Sequence, residues 1–261
     1  MSGLTVLFVV LGYAALAIFI VGVLAKVWKY GKTPAPLKIP QTPAPVTASG
    51  VPVRILSEVV FFKSLFKSNR VIWLAGYLFH IGLLLALIKH YRFLFASVPA
   101  GLDYFATFEM YPGLIMLGGL GLLFLLRLVV DRNMFISVMT DYVLLILLIA
   151  IAGTGTLAKH YFRVDITQVK EFMMGLVSFS PMGSNSTFPT ELIFLIHFSL
   201  VLLLLVYFPF SKLMHAAGVF FSPTRNQVDN PREKRIVAPW AENLPAPTTD
   251  VEEVAEAHGQ A

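Results

Sequence analysis

The sequence predicts an all-α, polytopic membrane protein, a bundle of five transmembrane helices. Three observations carry this. The 261 residues are 57% hydrophobic and 13% charged, with a mean hydropathy of +0.75, whereas a soluble domain carries about 25% charged residues. Five apolar stretches, near residues 4–25, 71–95, 110–130, 138–158 and 190–214, each suffice for the roughly 20 residues that a helix needs to cross a bilayer. Histidines recur in the second stretch (His80, His90) and along the fifth (His197, His215), and an ionisable side chain inside a membrane is costly enough to mark function.

The first stretch begins without charge and has no convincing cleavage site, so it reads as a retained helix rather than a signal peptide. Residues 31–54 follow as a proline-rich linker, with Thr-Pro-Ala-Pro at Thr33 and again at Thr42. Between Arg54 and Ser68, apolar side chains are interspersed with Lys63 and Lys67. That pattern suits either an amphipathic helix at the interface or an early start of the second span. The connection after the second span is balanced in charge (Lys89, Arg92, Asp103, Glu109). The third and fourth spans are joined by a short link with Arg127, Asp131 and Arg132. The next connection is balanced again (Lys159, Arg163, Asp165, Lys170, Glu171), and the fifth span contains Pro209, which should kink it. Residues 1–220 are therefore predicted to form the membrane domain and residues 221–261 a polar cytoplasmic tail, disordered or docked on a partner.

The excess of lysine and arginine falls in the first connection (Lys26, Lys29, Lys32, Lys38, Arg54, Lys63, Lys67, Arg70), in the third and in the tail. By the positive-inside rule the N-terminus lies outside the cytoplasmic membrane and the C-terminus in the cytoplasm. The formal charge of +5 is explained by these flanks and does not point to nucleic acid. Cysteine is absent, which excludes disulfides, thiolate-held clusters and covalent C-x-x-C-H haem attachment.

The four histidines have one shared chemical explanation. Haem iron takes axial imidazoles, and two apolar helices can supply one to each face of a porphyrin. His80 and His90 are ten residues apart, about 15 Å of helical rise, with rings within about 80° of each other. His197 and His215 are eighteen apart, five turns, which on a continuous helix is about 27 Å. If the second and fifth spans run antiparallel, inner His80 pairs with inner His215 and outer His90 with outer His197. The chain then holds two noncovalent b haems between its second and fifth helices. The two rises do not match. Gly76, Gly82, Gly118, Gly119 and Gly121 admit either a flat macrocycle or a neighbouring helix.

The residues around the histidines also carry a resemblance. Phe79-His80-Ile81-Gly82 with His90, and His197 followed by Phe208-Pro-Phe-Ser-Lys-Leu-Met-His215, resemble the gamma-subunit family of respiratory nitrate reductase over nearly the whole chain. That family implies five helices, two b haems, quinone exchange near the outer haem, and a cytoplasmic iron–sulfur partner. The long linker, the stretch Gly153-Thr-Gly-Thr-Leu-Ala-Lys-His160 and the tail motif Asn230-Pro-Arg-Glu-Lys-Arg235 are more similar to the DsrM-type branch found in sulfite-reduction-associated DsrMKJOP complexes. That branch implies a DsrK-type partner resembling heterodisulfide reductase, further membrane and extracytoplasmic subunits, and a role in dissimilatory sulfur metabolism.

Other polar residues have a functional reading and a plain one. His160 is a candidate hydrogen-bond donor or proton acceptor at a quinone carbonyl, or an interfacial histidine. Lys89 and Arg92 can bind quinone or haem propionates, or snorkel to the interface. Arg127 can meet inner-haem propionates or set topology. Asp165 can relay quinol protons or be a solvated loop carboxylate. His258, in the tail, is unconnected with haem. Beside the electron-transfer subunit, two other readings stand: a proton-linked transporter with a histidine relay, and a quinone:cytochrome reductase without an iron–sulfur partner.

Overall fold

A computed structural model of the chain describes residues 3–35, 40–97, 101, 111–180 and 188–229. All regular structure among them is helical: α1 (Gly3–Lys32), α2 (Gly50–Phe61), α3 (Lys63–Ser68), α4 (Arg70–His90), α5 (Pro112–Val129), α6 (Asp131–Ile136), α7 (Met139–His160), α8 (Ile166–Val177), α9 (Leu192–Tyr207) and α10 (His215–Phe221), with short 3₁₀ turns at Tyr91–Phe93, Phe208–Phe210 and Lys212–Met214. Five segments, built on α1, α4, α5, α7 and α9, are long and apolar enough to cross a membrane. Each answers to one of the stretches expected from sequence. Their outward faces expose leucine, isoleucine and valine, as lipid contact requires.

The connection before the second span resolves into separate helices rather than an early start of that span. The chain breaks at Phe62, whose φ of 49° is left-handed, and again at Asn69, where α4 begins. Asn69 Oδ1 accepts from the backbone N–H groups of Val71 and Ile72, each at 3.0 Å. This N-cap satisfies two donors that a helix start leaves open.

Backbone packing runs α4–α5–α7–α9–α1. Close approach of α4 and α5 depends on two glycines. A Cβ on Gly82 would lie 2.6 Å from the Met116 backbone nitrogen, and one on Gly119 would lie 2.8 Å from the Ala75 carbonyl oxygen. These two therefore serve helix packing, whereas a Cβ on Gly118 or Gly121 meets nothing within 4 Å. Around that contact Phe79, Met116, Leu120, Leu145, Leu148 and Ala152 form one apolar core. A second core joins α1, α8 and α9 through Phe8, Phe172, Phe188, Phe194 and Phe198, with Phe8 and Phe188 stacked at 4.3 Å.

The fifth span is not the continuous helix assumed above. Proline cannot donate the N–H that continues the ladder, so α9 ends at Tyr207 and a 3₁₀ turn holds Pro209. Ser211 is extended (φ −109°, ψ 174°), and a second 3₁₀ turn precedes His215. The five-turn rise of a straight helix therefore does not apply to His197 and His215, and the mismatch expected from it no longer follows.

The linker and the start of the tail also differ from expectation. Within the range 31–54, α1 runs on to Lys32 and α2 begins at Gly50, and the described residues between them, 33–35 and 40–49, are irregular. The linker is also tied to residues that follow α10: Gln41 N–H donates to the Thr224 carbonyl at 2.8 Å, and Asp229 N–H to the Pro45 carbonyl at 2.8 Å. The beginning of the tail docks on this chain's own linker. The remainder, with Arg232, Lys234, Arg235 and His258, lies outside the described residues, as do Asp103 and Glu109.

Candidate functional site

The second and fifth spans do not pack on one another: among the described residues the extensive contacts of α4 are with α5. Across the space between them four imidazoles meet two by two. The His80 and His215 ring centres are 6.2 Å apart with planes at 88°. Those of His90 and His197 are 6.3 Å apart with planes at 26°. Ring separations follow from simple geometry. An imidazole–metal bond of about 2.0 Å on each side, plus about 1.2 Å from nitrogen to ring centre, separates two rings by about 6.4 Å across one ion. Both pairs have that spacing. No group of three or more histidine, aspartate or glutamate side chains suited to a metal ion exists among the described residues. Two-by-two meeting suits axial ligation of a macrocycle, which brings its own four equatorial nitrogens.

The hydrogen bonds at the other ring nitrogens determine which nitrogen would ligate. His80 Nδ1 lies 2.7 Å from the Gly76 carbonyl oxygen. His90 Nδ1 lies 2.7 Å from that of Ala86, and His215 Nδ1 2.8 Å from that of Lys212. A carbonyl can only accept, so each Nδ1 carries the proton and each Nε2 keeps its lone pair. His197 Nδ1 lies 3.0 Å from Thr154 Oγ1. That hydroxyl also lies 2.7 Å from the Ala150 carbonyl. Its one proton goes there, and its oxygen accepts from His197. All four imidazoles are thus in the tautomer whose Nε2 would be available to iron, with the Nδ1 partner that metal-ligating histidines have. The donor set fits two haems.

The surroundings of the two pairs differ. His80 is edged by Phe62 and Phe79, with ring centres at 4.9 and 4.7 Å. The left-handed turn at Phe62 thus places an aromatic wall on this histidine. Beside His215, Asp141 is buried, only 3% exposed. Its Oδ2 lies 2.6 Å from Lys212 Nζ and 3.3 Å from Arg127 Nη1, and accepts from the Val138 backbone N–H at 3.2 Å. Arg127 also donates to Ser137 Oγ at 2.7 Å. Asp141, Lys212, Ser211, Tyr30 and His215 line a cavity of about 380 Å³. The cluster therefore joins α5, α7 and the segment carrying His215, and its formal charge is one positive.

At the other end His90 meets the Phe93 ring at 5.9 Å, and the Arg92 guanidinium lies 5.2 Å from the same ring centre. Lys89 is next to His90 in the last turn of α4. His160 closes α7 six residues beyond Thr154, about 9 Å along the helix, and its ring is 5.2 Å from that of Tyr111. Asp165 is an N-cap: Oδ1 accepts from the N–H groups of Thr167 and Gln168 at 2.8 and 3.4 Å. That is a structural task at the start of α8.

Sequence reasoning missed Thr154, Lys212 and Asp141. The signal for Asp141 was present: a carboxylate near the start of an apolar span needs a partner. Thr154 sits in the Gly153–His160 stretch that stood out for its composition, but its histidine partner is 43 residues away.

The family model described as the nitrate reductase gamma subunit matches residues 62–232. A protein of Archaeoglobus fulgidus named Hdr-like menaquinol oxidoreductase cytochrome b-like subunit is 36% identical over 273 residues, covering 89% of this chain and 82% of the relative. A protein of the same name from Archaeoglobus profundus is 32% identical over 292 residues, covering 95% and 86%.

Proposed function

The chain belongs to the nitrate reductase gamma subunit family, and from that premise we propose that it is a multi-pass, dihaem cytochrome b subunit exchanging electrons between the quinone pool and a cytoplasmic iron–sulfur partner. The observation that carries this reading is the pairing of His80 with His215 and of His90 with His197 at the spacing of two imidazoles on one iron. Haem held by these histidine pairs would supply one-electron redox chemistry between a two-electron quinol and the partner.

The chain's own residues do the rest. Nδ1 hydrogen bonds hold the four rings in the ligating tautomer, and the apolar walls exclude water and so tune potential. Arg127 and Lys212, together exceeding the charge of Asp141, would receive carboxylates at the His215 end. At the other end His160 would hold a proton at a quinone carbonyl, with Lys89 and Arg92 near the headgroup. The relatives' names supply the donor: a menaquinol is the quinol proposed. The DsrM-like sequence features support a heterodisulfide-reductase-like partner and a place in sulfur metabolism; the relatives' names add only that theirs is an Hdr-like complex. The lysine and arginine distribution supports an N-terminus outside and a C-terminus in the cytoplasm.

The test is haem content. Purified protein should approach two equivalents by pyridine haemochrome analysis, all removed by acid–acetone. One equivalent in fully loaded protein would end the dihaem reading. Absence of haem bands would leave the histidines as a proton relay. Copurification in mild detergent should bring an iron–sulfur subunit with it.

A further inference from the structure

Three of the four histidines satisfy Nδ1 within their own segment. His80 and His90 use the carbonyl four residues earlier, and His215 the one three residues earlier. His197 alone among them is held by a side chain from another span, Thr154 of α7. The next residue makes room for the ring: a Cβ on Gly155 would lie 2.9 Å from His197 Cε1 and 3.4 Å from its Nδ1. So α7 offers His197 a hydroxyl oxygen and, beside it, a position without a side chain. The hydroxyl is itself held within its own helix, its proton facing the Ala150 carbonyl at 2.7 Å and the Ile151 carbonyl at 3.2 Å.

We propose that Thr154 is a positioning residue for His197, and that its hydroxyl sets the ring orientation and donor strength of this ligand and hence the redox potential of the haem held by His90 and His197. The proposal rests on the dihaem reading above. An acceptor at Nδ1–H adds electron density to the imidazole and favours ferric iron. With the hydroxyl removed, Nδ1–H keeps only the Ile151 backbone carbonyl of α7, the ring loses its side-chain acceptor, and the ferric form is less favoured. The bound haem should then have a more positive midpoint potential. Because the contact reaches only one of the four rings, the effect should be confined to one haem.

The experiment compares wild type, Thr154→Val and Thr154→Ser as full-length chain in its native complex. The readouts are potentiometric titration followed optically and ferric electron paramagnetic resonance (EPR). Valine keeps the shape and removes the acceptor; serine restores it. Thr154→Val should shift one haem by about tenfold in its ferric-to-ferrous equilibrium, which for one electron is about 59 mV. It should also move that haem's g-values and leave the other haem unchanged. Thr154→Ser should return both readouts to wild type. Loss of one haem from the valine variant with retention in the serine variant would equally support the proposal. Wild-type potentials and spectra in the valine variant would overturn it. So would a serine variant that behaves like valine, because the methyl group and not the hydroxyl would then matter. A wild-type protein without haem would instead remove the dihaem reading.

Discussion

The His80 and His215 rings stand at 88° to one another. The corresponding pair at the other end, His90 and His197, is inclined by 26°. Ligand planes determine how the iron d-orbitals split in a low-spin ferric haem. Crossed planes leave two orbitals nearly degenerate and give a strongly anisotropic signal with a large maximum g-value. Near-parallel planes separate them and give a rhombic signal. Ferric EPR of the intact protein should show one signal of each type. Two rhombic signals would mean that the His80–His215 rings rotate on ligation.

The pairing itself is tested by substitution. His80→Ala and His215→Ala should remove the same spectral component, the anisotropic one. His90→Ala and His197→Ala should remove the other. Redox titration of the four variants should sort them into two classes. If His80→Ala and His197→Ala share a lost component, the antiparallel arrangement of α4 and α9 is wrong.

Asp141 holds Lys212, and with it the broken end of the fifth span, against α7. Removing a buried partner leaves opposite charge uncompensated. Asp141→Ala should cost about 2 kcal/mol, below the cost of breaking a fully buried pair because Lys212 is largely solvent-exposed. A lowered apparent melting temperature should be accompanied by weaker retention of the His80–His215 haem. Lys212→Met should cost less, since Arg127 still satisfies the carboxylate.

Gly119 brings α5 to within van der Waals distance of the α4 backbone. Gly119→Leu cannot be accommodated by rotating a neighbouring side chain, because the obstructing atoms are backbone. Overpacking of this kind costs about 1–3 kcal/mol or more. The expected result is reduced yield and loss of both haems, since α4 carries a ligand of each. Gly118→Leu, which meets open space, should be nearly neutral. Equal effects of the two would refute the packing argument.

His160→Leu should slow haem reduction by a menaquinol analogue while both haem spectra and the partner subunits stay in place. The histidine sits beyond Thr154 at the His90–His197 end, against Tyr111. Unchanged kinetics over a range of pH would make it an interfacial residue only. Loss of a haem would make its role structural.

The five spans and the four histidines were legible in the sequence because each is a local property. An apolar run of bilayer length declares itself, and an imidazole inside one has few structural explanations. Even the pairing of His80 with His215 followed from sequence order, given antiparallel spans. What sequence could not supply was anything depending on how one segment meets another. The path from His197 to His215 is decided by Pro209 and Ser211, and a straight-helix rise fails once the ladder is interrupted. Arg127 was visible as a cation near a span end. That it faces Asp141 and Ser137 depends on the contact of α5 with α7. Thr154 is an ordinary residue of an apolar helix until α9 places His197 beside it. The sequence alone thus determined which residues are costly to bury and how far apart they lie along the chain. The tertiary structure alone decided which partner makes each burial tolerable, because hydrogen bonds and ion pairs form between residues distant in sequence and leave no periodic trace in it.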